Sequence, residues 1–350
     1  MDDKNRWHGM LTAAGAVAAA GTVLGFLGAW SWFFDLFAHF RIQYFWGLSL
    51  IGAGCLLSRK RIWALLFIGM AMVNLACILP FYFGKPAPHG YTTAPMRAML
   101  INVNTATGDP QKVIEAIRAH NPDFVVLQEI SARWCRILEP ALAADYPHSA
   151  RQPSEDNFGI GVWSKHASAT SPHNTIATAG TFDLPYIVRV FETPQSTFML
   201  LAAHPFPPIG ATGTEARNTQ LAAHADFIRA TANENIPTVL IGDLNATPWS
   251  AAFKKLLRDT GIKNASQGRG LYPTWPTFFL PLRIPIDQFL HTPEIEIIAR
   301  QTGPCVGSDH FPVIIDFKLP PLDKKDEQRT LRVPQGRRSL LGGESGRRAC

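Results

Sequence analysis

Thr238-Val239-Leu240-Ile241-Gly242-Asp243-Leu244-Asn245 carries a short apolar run into an Asp and an Asn two residues apart. Ser308-Asp309-His310-Phe311-Pro312-Val313-Ile314-Ile315 has the reverse order, with the polar block first and the apolar run after it. Both runs read as short buried strands bounded by Gly or Pro. Polar groups crowded at strand ends mark a site at the rim of a sheet, where rigid backbone aims side chains and loops give access. Two carboxylates, an amide and an imidazole suit metal-assisted attack on a phosphate ester. They offer oxygen ligands for a hard cation and a group that exchanges protons near neutrality.

Met99-Leu100-Ile101-Asn102-Val103-Asn104 alternates as a half-buried strand does, which puts Asn102 and Asn104 on one face. Asp123-Phe124-Val125-Val126-Leu127-Gln128-Glu129 is a further apolar run that ends in a carboxylate. Between them Asp109-Pro110 opens a helix with Val113, Ile114 and Ile117 on one face, and Asn121-Pro122 closes it. Farther on, strands are expected over 159–164, 187–191 and 198–202, with helices over 213–233 and near 250–257.

Six pieces stand in one order: Asn102, Glu129, His204 in Ala203-His204-Pro205, Asp243 with Asn245, Asp287 in Pro285-Ile286-Asp287, and Asp309-His310. Over Arg97–Lys318 the chain thereby resembles the endonuclease/exonuclease/phosphatase superfamily, which includes DNase I-like nucleases, apurinic endonucleases, bacterial sphingomyelinases and inositol-polyphosphate phosphatases. The resemblance implies an α/β fold, a four-layer α/β/β/α sandwich of two mixed sheets. It implies Mg²⁺ or Mn²⁺ held by Asn102, Glu129 and Asp309, and hydrolysis of a phosphodiester, either nucleic acid or a phospholipid head group, by activated water. His310 then acts as general base or phosphate-orienting group, with Asp287 on one ring nitrogen. His204 is the acid near the leaving group, a position where apurinic endonucleases carry a tyrosine. Asp243 and Asn245 contact the water and the phosphate oxygens. Gln288 stands where the family often has His or Tyr. Asn104 is open between a site role and a loop amide, and Arg217 between a phosphate contact and an exposed helix start.

The segment before this region is of another kind. Met10–Phe34, Ile42–Ser58 and Ile62–Gly84 contain no charged residue. A membrane span needs about 20 apolar residues, which the first and third runs supply and the second approaches. Trp30, Trp32, Trp46, Trp63 and Tyr82 lie near the run ends as an interfacial belt does. Three transmembrane helices are therefore expected in residues 1–84, in a membrane-anchored, bacterial-type member; a buried soluble helical domain is the bland alternative. Arg59-Lys60-Arg61 belongs on the cytoplasmic side, because positively charged short loops resist translocation. That places the N-terminus inside and the catalytic domain, residues 97–318, on the extracytoplasmic side of a multi-pass cell-membrane protein. Residues 85–96, rich in Pro and Gly, read as a linker.

Net charge is +6 and the pI about 9.1. Much of the excess lies in that loop and in residues 319–350, which read as a disordered basic tail. No basic stripe interleaved with aromatics runs through 97–318, which weighs against nucleic acid. Five cysteines include no C-x-x-C pair, so zinc and thioredoxin-like chemistry are set aside; pairing of Cys135 with Cys305 stays open. Thr277-Phe278-Phe279-Leu280-Pro281-Leu282 is either a loop that meets a bilayer or a buried hairpin. A non-catalytic membrane protein using the fold as a binding module is the alternative function. Such a protein should have lost a ligand, and none of the expected ones is missing from the sequence.

Overall fold

The computed structural model describes residues 3–193 and 196–321. Four helices come first: α1 (Asp3–Leu24), α2 (Trp32–Ala38), α3 (Arg41–Leu57) and α4 (Arg61–Ile78). The remainder runs β1 (Met96–Asn102), α5 (Pro110–His120), β2 (Phe124–Gln128), α6 (Ala132–Leu142), β3 (His148–Gln152), β4 (Ile160–Ser164), β5 (Thr175–Ala179) and β6 (Leu184–Glu192). It continues β7 (Thr197–Ala203), α7 (Gly210–Thr231), β8 (Thr238–Asp243), α8 (Ala251–Thr260), β9 (Lys263–Asn264), β10 (Asp287–His291), β11 (Glu296–Thr302) and β12 (Val313–Lys318). The basic tail expected over 319–350 lies outside the described residues from 322 onward.

Two mixed sheets form, ordered β11-β12-β1-β2-β4-β3 and β5-β6-β7-β8-β10-β9. In each, one parallel pair is central, β1 with β2 and β7 with β8, and the other pairings are antiparallel. Alternation along the strands decides which side chains go where. Ala98 and Leu100 of β1, Phe124 and Val126 of β2, Leu200 and Ala202 of β7 and Val239 and Ile241 of β8 meet between the sheets. Met99 and Ile101 point the other way, under Val113 and Ile117 of α5 and Leu138 of α6. Leu201 and Leu240 pack beneath Leu221 of α7 and Phe253 of α8. The layers are therefore helix, sheet, sheet, helix.

Local chemistry explains the boundaries. Asp109 caps α5 by accepting from Gln111 N and Lys112 N, Pro110 begins it, and Asn121 ends it in the left-handed region at φ 46°. Ser250 caps α8 by accepting from Phe253 N. The parity set that meets between the sheets continues to the ends of the strands: Asn102, Gln128, His204, Asp243 and Asp287 all fall on the inner-face register. They collect at one end of the sandwich.

The N-terminal helices depart from three uninterrupted spans. α1 stops at Leu24, inside the uncharged run 10–34. A Cβ at Gly25 would stand 2.8 Å from Arg41 Nη2 and 2.9 Å from Phe37 O, so the chain turns back tightly here. Ser31 then accepts from Phe33 N to start α2. Among the described residues one helix, Arg61–Phe81, is long and apolar enough to cross a membrane; α2 with α3, bent by 64°, makes a second only if the pair counts as one span.

These helices are bonded to the sandwich. Asp35 of α2 and Arg217 of α7 form a buried ion pair at 2.7 Å. Asp35 Oδ1 accepts from Ala251 N, and His39 Nδ1 lies 2.9 Å from Thr247 Oγ1. Trp249 Nε1 donates to Cys77 O. Residues 85–95 run along the sandwich, where Glu296 accepts from His89 N and Lys318 Nζ donates to Tyr91 O.

Gln128 joins the two sheets. Its Nε2 donates to Ala203 O at 2.7 Å, and its Oε1 accepts from Asp243 N at 2.8 Å. Gln128→Leu would keep the volume but leave one buried carbonyl and one buried N–H unpaired, each at about 1–3 kcal/mol. The expected outcome is a clear fall in thermal midpoint, measured by calorimetry, with no such fall for Gln111→Leu on the exposed face of α5.

Candidate active site

Each strand end delivers one or two polar groups. Asn102, the last residue of β1, donates through Nδ2 to Glu129 Oε1 at 2.8 Å, and its Oδ1 accepts from Asn104 N at 3.0 Å. Glu129 follows β2 with φ 61°, held there by Thr105 Oγ1, which donates to its carbonyl at 2.7 Å. Asn104, also left-handed at φ 51°, lies past the end of β1. Its Nδ2 donates to Asp309 Oδ1 at 2.8 Å, while its Oδ1 accepts from Ala106 N and Thr107 N. The two readings of Asn104 therefore merge, since the same amide holds its loop and orients Asp309. Asp309 Oδ2 also accepts from Trp275 Nε1 at 2.9 Å.

The second cluster is built from strand ends of the other sheet and from His310, which precedes β12. Asp287 and Asp243 are register partners across β10 and β8. His310 Nδ1 is 2.9 Å from Asp287 Oδ2, and its Nε2 is 3.7 Å from Asp243 Oδ2. His204 Nε2 approaches the same Asp243 oxygen, also at 3.7 Å. Asp243 thus stands between two imidazoles. Asn245, left-handed at φ 49°, donates its backbone N–H to Asp243 Oδ1 and its side-chain amide to Pro205 O. Gln288 is buried and donates to Ala246 O and Pro285 O, so it supports the backbone on both sides of the site. Arg217 turns away from a substrate role: it is fully buried, paired with Asp35, and donates to Asn245 O.

Burial and charge set the protonation states. Burial pushes the Glu129 carboxyl up, opposed by His204 and by the Asn102 hydrogen bond. Burial also works against a charged His310, yet Asp287, Asp243 and Asp309 around it carry its pKa up to about 10. For His204 burial is likewise outweighed by Asp243 and Glu129, and its pKa rises. Asp243 is buried, but the two histidines and Asn245 N–H hold it below the usual carboxylate range. Both histidines thus favour the imidazolium, and Asp243 the carboxylate.

Asp243, Asp287 and His310 have ligand atoms all within 4.8 Å of one another. That arrangement is better read as an imidazolium between two carboxylates, since His310 already occupies the space with a 2.9 Å contact. The fit for a divalent cation is better at Asn102, Glu129 and Asp309. The donors there are hard oxygens, linked through Asn104, and Glu129 is a half-buried carboxyl that accepts from a neutral amide. Glu129, Asp243, Asp309, His204 and His310 all line one cavity of about 440 Å³.

The model of the Endonuclease/Exonuclease/phosphatase family matches residues 99–310, more than half of the chain, and the chain belongs to that family. Its named activities are hydrolyses of phosphate esters. Among solved structures the fold is similar to an endonuclease/exonuclease/phosphatase from Beutenbergia cavernae, with 22% identity, 65% of this chain and 72% of that one covered, and a TM-score of 0.54. It is similar to the human Nocturnin catalytic domain with bound sulfate, with 20% identity, 64% and 94% coverage and a TM-score of 0.51. It is also similar to a humanized D. rerio TDP2, with 15% identity, 65% and 100% coverage and a TM-score of 0.51. No curated protein matches the chain in sequence.

Three contributors escape a reading of motifs. Gln128 and Trp275 act through contacts far away in sequence, and Phe158 sits against His204 with ring centroids 5.6 Å apart. Only Gln128 left a trace, a polar residue at an inward position of an apolar strand. For the cation, the expected outcome is a rise in thermal midpoint on adding Mg²⁺. A ligand at 100-fold its dissociation constant adds about 2.7 kcal/mol. Glu129→Gln should abolish most of that rise while folding normally in its absence, as read by scanning calorimetry with and without chelator.

Proposed function

We propose that the protein is a membrane-anchored, divalent-cation-dependent phosphodiesterase that cleaves its substrate by attack of an activated water. The observation that carries this reading is the convergence of Glu129, Asp309, Asp243, His204 and His310 on one cavity at the inner-face end of both sheets. Asn102, Glu129 and Asp309 would hold Mg²⁺ or Mn²⁺, which when bound supplies charge neutralisation at the phosphate. The rest of the chemistry belongs to side chains. His310, kept cationic and oriented by Asp287, contacts a phosphate oxygen and stabilises charge that grows in the transition state. Of the two roles assigned to His310 from sequence, this state favours phosphate orientation over general base. Asp243, held ionised between the histidines, accepts the proton of the attacking water, and Asn245 orients that water. His204, protonated, donates to the departing oxygen.

His204→Ala should therefore hurt most where the leaving group needs a proton. A nitrophenolate leaves without one and a sugar or glycerol alkoxide does not. General acid help is worth about 10²- to 10⁴-fold, so the loss with an alkoxide should exceed the loss with nitrophenolate by at least tenfold. His310→Ala and Asp243→Asn should be severe with both. Equal losses for His204→Ala on the two substrates would remove its acid role.

The anchoring and its orientation belong to the same proposal. The loop Arg59-Lys60-Arg61 joins α3 to α4, and the sandwich meets the opposite ends of both helices through Gln43 and Cys77. This arrangement supports basic residues on the cytoplasmic face with the catalytic domain across the membrane. Alkaline phosphatase fused after Gly84 should be active and a cytoplasmic-type reporter silent. The opposite pattern would reverse the orientation.

A further inference from the structure

The cavity lining combines two chemistries. Carboxylates and imidazoles make up one part of it. Apolar side chains make up another, and some come from outside the sandwich: Leu36 and Phe40, from α2 and the turn after it, line the space with Ile209, Phe158, Ile284 and Ile286. Four carboxylates line the cavity, those of Glu129, Asp156, Asp243 and Asp309, and no Lys or Arg does. A groove for nucleic acid neutralises several successive phosphates with lysines and arginines, and this lining offers neither, its cationic groups being the two histidines at the carboxylate cluster. It does match a substrate with one phosphate and a greasy remainder.

The placement of α2 is built in. Asp35 pairs with buried Arg217, which donates to Asn245 O, and the same carboxylate accepts from Ala251 N. His39 contacts Thr247 on the loop that carries Asn245. One helix from the membrane-side unit is thus clamped onto the loop after β8. Around the opening the chain exposes Ile209 at 77%, and the nearby loop exposes Phe278 at 80% and Leu280 at 70%. Gln43 Nε2, near the start of α3, donates to Arg283 O and ties that loop to the helices.

We infer that the site takes a phosphate ester with a hydrocarbon substituent, seated against Leu36, Phe40 and Ile209 and drawn from the bilayer in which the N-terminal helices lie. The inference rests on the phosphodiesterase reading above and adds the substrate class. It also makes α2 part of the substrate site.

The test uses the full chain, stabilised in amphipol with Mg²⁺, on methyl and octyl p-nitrophenyl phosphates below the micellar concentration of the octyl ester. Both release the same nitrophenolate, so only the apolar remainder differs. Burial of a methylene is worth about fourfold in affinity, and an octyl-to-methyl ratio in kcat/KM above tenfold is expected. Leu36→Gln and Ile209→Gln should each shrink that ratio at least threefold. Ile209 is exposed, so its variant has no core to disturb. A second arm, phosphatidylcholine vesicles, separates the sources: release of a head group or its phosphate supports the bilayer. Octyl selectivity without vesicle turnover would overturn the bilayer source. Equal kcat/KM for the two esters, with good turnover, would overturn the inference and leave the phosphodiesterase reading intact. No turnover of either ester would overturn both.

Discussion

Two sheets packed face to face tolerate few polar atoms between them, because an unpaired buried amide costs about 1–3 kcal/mol. Gln128 is such an amide, fully buried, and both of its polar atoms are used across the interface. Its partners are Ala203 O, the residue before His204, and Asp243 N. One side chain therefore fixes β2, and with it Glu129, against the ends of β7 and β8. The approach is close enough to decide a neighbouring residue. A Cβ at Gly242 would lie 1.8 Å from Ala203 O and 2.6 Å from Gln128 Nε2, so only glycine fits beside the clamp. The Gly of Gly242-Asp243-Leu244-Asn245 is a packing requirement, and the carboxylate next to it inherits its position.

A second constraint joins the N-terminal helices to the same loop. The Asp35–Arg217 pair is buried on both sides, and losing one partner of such a pair typically costs about 3–5 kcal/mol because the other charge stays buried. Arg217 reaches Asn245 O, so the ion pair ends at the loop after β8. An excised 97–318 fragment would leave Arg217 without Asp35 and remove a wall of the cavity. The N-terminal helices and the sandwich are in that sense one structural unit.

What was legible in the sequence follows from where information is local. Strands β1, β2, β4, β7 and β8 are central and buried, and each shows an apolar run. The edges β3, β5, β9 and β11 do not. His148-Ser149-Ala150-Arg151-Gln152 has one buried residue, and Thr175-Ile176-Ala177-Thr178-Ala179 has none, because an edge strand faces solvent along one side and needs no continuous apolar run. Asn102, Glu129, Asp243 and Asp309 were readable because each ends or begins such a run. Asp287 and the histidines entered through their place in the ordered motifs. The break after Leu24 was not readable, since Gly25 matters only through its approach to Arg41 and Phe37. Arg217 stood open between a phosphate contact and an exposed helix start for the same reason, as its partner Asp35 sits on a helix far away in sequence.

Backbone strain at the site points the same way as its charges. Asn104, Glu129 and Asn245 all adopt positive φ. Asparagine enters the left-handed region cheaply, but glutamate does not, and strained backbone of this kind costs about 1–3 kcal/mol and persists only where surroundings over-determine it. At Glu129 they do: Gln128 is clamped on one side, Ile130 N donates to Gly159 O on the other, and Thr105 holds the carbonyl. The strain aims a carboxyl into a cavity where burial raises its pKa. A fold that holds a carboxyl strained and partly desolvated gains from anything that relieves the charge there.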